Sequence, residues 1–211
     1  VNKLRFTLLT DGSSDQALLP ILEWIIKQHC RQDLAVDGTW AELAYLPQKT
    51  SSLTERMVKS AELFPCDVLF VHRDAEGQPP ECRYREIDQA QREAGFSQPF
   101  VIPVVPVRMQ EAWLLFDADA IRSAAGNPNG TQELTLPCPR YLETLSDPKE
   151  VLNRLLSTAS GLHGRRLKDF SPAKAARLIP QYCTDFAALR TLAAFRRCED
   201  DVRTLIEDQG W

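Results

Sequence analysis

The chain has no hydrophobic run approaching the roughly 20 residues that cross a bilayer, so no membrane span is expected. It has no excess of positive charge. Lys and Arg number 25 against 29 Asp and Glu, for a net charge of -4. The molecule as a whole therefore does not attract nucleic acid, and any such binding must come from a local patch. It has no CxxC pair. Cys30, Cys66, Cys82, Cys138, Cys183 and Cys198 are scattered, and His29-Cys30 is the one His/Cys neighbour pair, which argues against a zinc site. It has no GxxxxGK[ST] run, which excludes a P-loop. No histidine lies near Ser13 or Ser14 to activate either as a nucleophile. There is no internal repeat, no low-complexity segment and no signal-peptide pattern ahead of the first apolar run. Scattered cysteines in such a chain read as reduced and partly buried, and the expected location is cytoplasmic.

What is present alternates. Leu4–Leu9 reads as a strand, Ala17–Cys30 as a helix with Leu18, Leu22, Ile25 and Ile26 on one face, and Thr39–Leu46 as a second strand. Pro20 is expected to kink or delay the first helix. Ser52-Leu53-Thr54-Glu55 is a capping box that opens a helix to about Phe64. Asp67–Val71 is a short apolar strand, and a polar helix runs from Pro79-Pro80 to Gly95. Phe100–Val107 is rich in β-branched residues but carries Pro103 and Pro106, so a short or irregular strand is expected. Strand–helix alternation over the first 125 or so residues predicts an α/β fold, a mostly parallel sheet flanked by helices. After Asn127-Pro128-Asn129-Gly130 the signals become helical. Asp147-Pro148-Lys149-Glu150 is a helix start, Ser171-Pro172 opens a helix that Pro180 closes, and Asp185 to about Glu207 carries one apolar face. The expected organisation is an α/β domain over 1–126 and a helical C-terminal region over 127–211 packed on it. Trp24, Trp40 and Trp113-Leu114-Leu115 read as core, and the terminal Trp211 as mobile.

The chemistry concentrates at strand ends. Leu8-Leu9-Thr10-Asp11-Gly12-Ser13-Ser14-Asp15 puts an acid at the end of the first strand, a glycine expected to make a sharp turn, and a second acid one helical turn on. His72-Arg73-Asp74-Ala75-Glu76-Gly77 follows the third strand, and Glu111 follows the fourth. In an open parallel sheet these ends share one edge, where such folds place their sites. Clustered carboxylates repel unless protonated or met by a cation, and an all-oxygen cluster suits Mg²⁺ or Mn²⁺. The expected metal set is Asp11, Asp15, Asp74, Glu76 and Glu111, with Asp11, Asp74 and Glu111 central to catalysis of phosphodiester cleavage. Taken singly, Asp11 with Ser14 reads as an ordinary strand-to-helix loop, and Asp74 with Glu76 as a solvated one.

Asp11-Gly12, the acids around Asp74 and Glu111-Ala112-Trp113-Leu114-Leu115, in that order, resemble the Toprim (topoisomerase–primase) family. Within it, the chain is similar to the small Toprim-like proteins related to the overcoming-lysogenization-defect nucleases. The tail from Ser160 to Lys168 and Ser171 to Ala176 resembles that family's C-terminal region. The resemblance implies a Toprim-like fold, a divalent-metal-dependent nuclease, nucleic acid as substrate, and an ATPase partner in phage defence. Two positions depart from the family pattern. Asp11 stands where a glutamate is usual. The family's Asp-x-Asp falls on either His72-Arg73-Asp74 or Asp74-Ala75-Glu76, and the first alignment puts an imidazole where a carboxylate is usual. His72 also reads as a satisfied histidine at a sheet end.

A basic cluster completes the pattern. His163, Arg165, Arg166, Lys168, Lys174 and Arg177 lie close in sequence with only Asp169 among them. Arg165, Arg166, Lys168 and Lys174 are the candidate nucleic-acid contacts, as guanidinium and ammonium groups that grip phosphates; a solvated helix face is the plain alternative. Three functions follow from these residues: a metal-dependent nuclease, a catalytically degenerate Toprim-like binding or effector subunit of an ATPase complex, or an α/β domain with no site at this edge.

Overall fold

The computed structural model describes residues 3–31, 33–43 and 52–211. Strands β1 (Lys3–Leu9), β2 (Ala35–Trp40), β3 (Val68–His72) and β4 (Phe100–Val104) form one sheet in the order β2-β1-β3-β4. Every pairing is parallel, so each connection must cross over the sheet. Helices α1 (Leu19–His29), α2 (Leu53–Leu63) and α3 (Pro80–Ala94) lie in those connections. After β4 come α4 (Ala118–Ala124), α5 (Pro148–Ala159), α6 (Gly164–Asp169), α7 (Pro172–Ala176), α8 (Ile179–Tyr182) and α9 (Ala193–Gln209). The α/β fold with a helical C-terminal region is therefore as expected. Among the described residues no helix is long and apolar enough to cross a membrane.

Strand alternation sorts the side chains into two layers. Leu4, Phe6 and Leu8, with Val68, Phe70, Ile102 and Val104, face the larger core beneath α1, α5 and α9. Leu9, Leu69 and Val71 face a smaller core with Met57 of α2 and Ile87 and Ala90 of α3. The larger core runs from Leu4 to Ile206, so the C-terminal helices share it with the sheet. Trp113 lies fully buried in it, edge-on to Phe195 with ring centres 5.3 Å apart. Phe6 meets Phe70 edge-on at 5.5 Å and also lies across Gly38 of β2. A Cβ at Gly38 would stand 2.3 Å from the Phe6 ring, so that position must lack a side chain.

The local signals hold at some ends and move at others. Ser52 and Glu55 form the capping box of α2: the Ser52 hydroxyl accepts from the Glu55 amide at 3.1 Å, and the Glu55 carboxylate accepts from the Ser52 amide at 3.2 Å. Asp147 caps α5, accepting from the Glu150 amide at 2.8 Å. The first helix is delayed: Ser13–Leu18 winds as a 3-10 turn, and Pro20 sits in the first turn of α1, where its missing N–H has no partner to lose. β2 starts four residues before the expected Thr39, because Val36, Gly38 and Trp40 alternate with polar neighbours that hide the strand; the expected residues 44–46 lie outside the described ones. Pro180 does not close a helix but stands in the first turn of α8, and the region splits into α7 and α8. The expected helix from Asp185 is a 3-10 turn over Ala187–Thr191 followed by α9. Trp211 packs against Phe100, with ring centres 6.1 Å apart.

Candidate functional site at the C-terminal edge of the sheet

Strand parity decides which acids meet. His72 continues the side of Val68 and Phe70, towards α1, and Asp74 lies two residues on. Asp15 arrives from the 3-10 turn after β1. The three interact: His72 Nε2 lies 3.2 Å from Asp74 Oδ1, and His72 Nδ1 lies 3.5 Å from Asp15 Oδ2. Asp15 also accepts from the Gly12 amide at 3.1 Å and from the Ser14 hydroxyl at 2.9 Å. Gly12 itself is extended (φ -132°), a conformation open to any residue. The chain does bend at Asp11-Gly12, as expected, but without a positive φ, and Gly12 also contributes the amide that Asp15 caps. Asp74 accepts a further bond from the Gln110 amide at 3.0 Å, which ties the end of β3 to the turn after β4.

His72 is fully buried, and burial opposes its charge. The facing charges of Asp15 and Asp74, with the hydrogen bond to Asp74, outweigh that, and its pKa is raised to about 9, while Nδ1, 3.5 Å from Asp15, makes an ion-pair contact without a hydrogen bond. Burial pushes the Asp15 carboxyl up, but attraction to His72 and the hydrogen bonds from Ser14 and Gly12 hold it below its ordinary value. At neutral pH the unit is an imidazolium between two carboxylates. Of the two alignments left open by the sequence, His72-Arg73-Asp74 is the one whose outer side chains face each other. Glu76 lies elsewhere: it is exposed, has φ of 52°, and pairs with Arg83 at 3.4 Å.

Asp11 does not join this group. It lies on the α2 side, where its Oδ1 is 2.5 Å from Arg56 Nη1 and 3.1 Å from Arg73 Nη1. Arg56 also donates to the Thr10 carbonyl, and Arg73 reaches Glu86 of α3 at 3.2 Å. Leu9 already faces the smaller core, and Asp11, two residues on, keeps that side. Glu111 is on the same edge as Asp15 and Asp74 but is buried beside Lys149 of α5, whose Nζ lies 3.4 Å from Oε1. A small cavity of about 50 Å³ lies there, lined by Ser14, Gln110, Glu111, Lys149, Asn153 and Arg177 among others. Gln110 is buried and its Oε1 has no hydrogen-bond partner.

The basic tail reaches the edge through Arg177, whose Nη2 donates to the Ser13 hydroxyl at 3.0 Å. Arg165, Arg166 and Lys168 on α6 and Lys174 on α7 are exposed and make no ion pair with described residues. Sequence reasoning missed Lys149, which it read only as part of a helix start, and Gln110, an uncharged neighbour of Glu111. Arg56 and Arg73 were equally unmarked. Nothing in the spacing pairs them with Asp11 until the sheet faces are known.

Mg²⁺ needs several oxygen ligands open to it. Here each strand-end acid already meets a protein cation: Asp11 meets Arg56 and Arg73, Asp15 and Asp74 meet His72, and Glu111 meets Lys149. Among the described residues no group of three or more His, Cys, Asp or Glu is arranged to hold a metal ion. As placed, these donors do not fit Mg²⁺ or Mn²⁺. Compared with models of protein families, with curated proteins and with solved structures, the chain matches none.

Proposed function

We propose that the chain is a Toprim-like binding subunit that holds the phosphodiester backbone of a nucleic acid along the C-terminal edge of the sheet, without cleaving it. The observation that carries this reading is the distribution of charge. The strand-end acids are compensated within the protein, whereas Arg165, Arg166, Lys168 and Lys174 of the C-terminal region are exposed and unpaired among the described residues. Cations without partners are the groups that gain by meeting phosphate and releasing its counterions. Arg177, bonded to Ser13, links this basic surface to the loop after β1. The ATPase partner rests on the family resemblance alone.

A second reading, metal-dependent cleavage, has one observation in its favour. Asp15, Asp74 and Glu111 come from three separate strand ends to one edge, and the unpartnered carbonyl oxygen of Gln110 lies among them. One experiment separates the two. The chain is titrated with a labelled oligonucleotide at low salt in chelator, and the same mixture is then supplied with Mg²⁺ or Mn²⁺. The binding reading expects saturable binding in chelator, weakened as salt rises, and intact oligonucleotide with either metal. Metal-dependent cleavage that Glu111→Gln abolishes would replace it with the second reading. Absence of binding to any nucleic acid at low salt would overturn both.

A further inference from the structure

Gln110 carries a buried amide that no neighbour meets. It is 2% exposed, its Oε1 has no hydrogen-bond partner, and among the described residues its side chain makes no hydrogen bond. A buried amide without a partner costs stability, and native folds keep few of them. Asn153 of α5 lines the same small cavity, and its side-chain amide is likewise unbonded among the described residues. Lys149 and Arg177 line the cavity too and are exposed, so it reaches the surface at their end. Gln110, Glu111 and Leu152 are buried and close its inner end.

We propose that this cavity takes the terminal phosphate of a nucleic-acid strand, a phosphomonoester, with Lys149 and Arg177 on its charge and the amides of Gln110 and Asn153 on its oxygens. The proposal rests on the nucleic-acid reading above and names the part of the strand that is recognised.

Size, charge and hydrogen bonding all select that group. The cavity measures about 50 Å³. That is a few times the roughly 10–15 Å³ that one water needs, and far below the roughly 300–1,000 Å³ of pockets that hold whole small molecules. A blind cavity of this size admits a group of a few atoms at the end of a chain. An internal phosphodiester has a nucleotide on either side and cannot enter it. A phosphomonoester carries about -1.5 to -2 charges at neutral pH, against about -1 for a diester, and here two cations answer it. Glu111 does not cancel them. Its Oε1 holds Lys149 Nζ at 3.4 Å, and an ammonium has three N–H groups, so others remain to donate. The guanidinium of Arg177 is bonded only through Nη2 to the neutral Ser13 hydroxyl. The phosphate oxygens accept from the two amide NH₂ groups, and a protonated phosphate oxygen donates to Gln110 Oε1.

Gln110 is held ready for this. Its main-chain amide is bonded to Asp74 at 3.0 Å, and Ala112, Trp113 and Leu114 beyond it are buried. Little freedom is therefore lost when the phosphate arrives. Ala17 and Arg177 also line a groove of about 320 Å³ between the start of α1 and the α7–α8 segment, with Lys174 on its wall. The rest of the strand leaves the cavity along that groove.

The test measures binding of single strands of one sequence, labelled internally with fluorescein, to the full chain at low salt in chelator. The strands end in a 5′-phosphate, in a 3′-phosphate or in hydroxyls at both ends, and a fourth is circular. One of the two phosphates should tighten binding about tenfold over the hydroxyl-ended strand, and the arm that responds identifies the end that enters. The circle should bind like the hydroxyl-ended strand. Gln110→Met and Asn153→Leu keep the shape of the cavity and remove its amides, and each should shrink the preference to about twofold or less. Gln110→Met is expected to fold, because it removes an unbonded buried group, and Asn153→Leu gives a second reading at a less buried position; thermal melts check both. If the parent binds all four strands alike, or the preference persists in both variants, this inference is overturned and the binding reading stands. If no strand binds, both fall.

Discussion

Raising the pH should unlatch the strand-end site, and the size of the effect follows from His72. Its pKa is about 9 in the folded protein against an ordinary 6.5, so folding favours its protonated form. A group raised in this way contributes stability that is complete below the unfolded value and is lost as pH rises through the folded one. Between about pH 6 and about pH 8 the unfolded chain gives up this proton while the folded chain keeps it, which removes about 2 kcal/mol. The window stops at about pH 8 for a reason. Burial raises the thiols of Cys66 and Cys183, and their ionisation in the unfolded chain adds to the loss at higher pH. The assay is urea unfolding at intervals across the window, on the parent and on His72→Gln. The variant should be less stable than the parent at about pH 6, since Asp15 and Asp74 lose the cation between them, and its stability should change little up to about pH 8. A parent whose stability is flat between those two values, or a variant that follows the same slope, would refute the buried imidazolium.

Two further predictions concern the scaffold. Gly38→Ala should cost about 1–3 kcal/mol in urea unfolding, because the new methyl meets the Phe6 ring at 2.3 Å in a close-packed layer. Glu199→Gln should cost about 2–3 kcal/mol at neutral pH, because buried Glu199 joins Arg190, at 2.6 Å, to His29 at the end of α1. Burial pushes the Glu199 carboxyl up but Arg190 and His29 hold it below its ordinary value, so this stability is present above the unfolded carboxyl range and is lost as pH falls. Thermal melts of parent and variant should therefore converge in acid; a constant difference would contradict the assignment.

Much of the fold was legible because its signals are local. The Ser52–Glu55 box, the Asp147 cap and the apolar run Val68–Val71 of β3 each announce themselves within a few residues. The start of β2 was hidden because that strand lies at the sheet edge, where Asp37 and Thr39 are compatible with solvent and the apolar pattern thins. Pro180 misled for a related reason. A proline closes one helix or opens the next equally well, and the burial of Ile179 beside it, a tertiary fact, decides the matter. At the site, sequence placed the acids at the correct strand ends but not on the correct faces. Asp11 and Asp15 are one helical turn apart in the chain, yet Asp11 keeps the α2 side while the 3-10 turn carries Asp15 under the sheet to His72. The cations that answer these acids come from α2, β3 and α5, and no spacing rule links such distant positions.

The two cores are unequal, and this makes the two sides of the sheet unequal in how readily they come away. The layer of α2 and α3 rests on the smaller core, whereas α1, α5 and α9 share the larger one. Partial opening costs least where the fewest apolar side chains must be exposed, so the layer of α2 and α3 is the side whose opening costs less. Arg56 rides on that layer and grips both Asp11 and the Thr10 carbonyl. Lifting α2 would take Arg56 away from the loop after β1, while Arg73 at the end of β3 still met Asp11 and Asp15 stayed anchored to His72. The end of β1 is thereby tied to the α2 layer by Asp11 and Arg56, and to the sheet by Asp11 with Arg73 and by Asp15 with His72, through two carboxylates four residues apart.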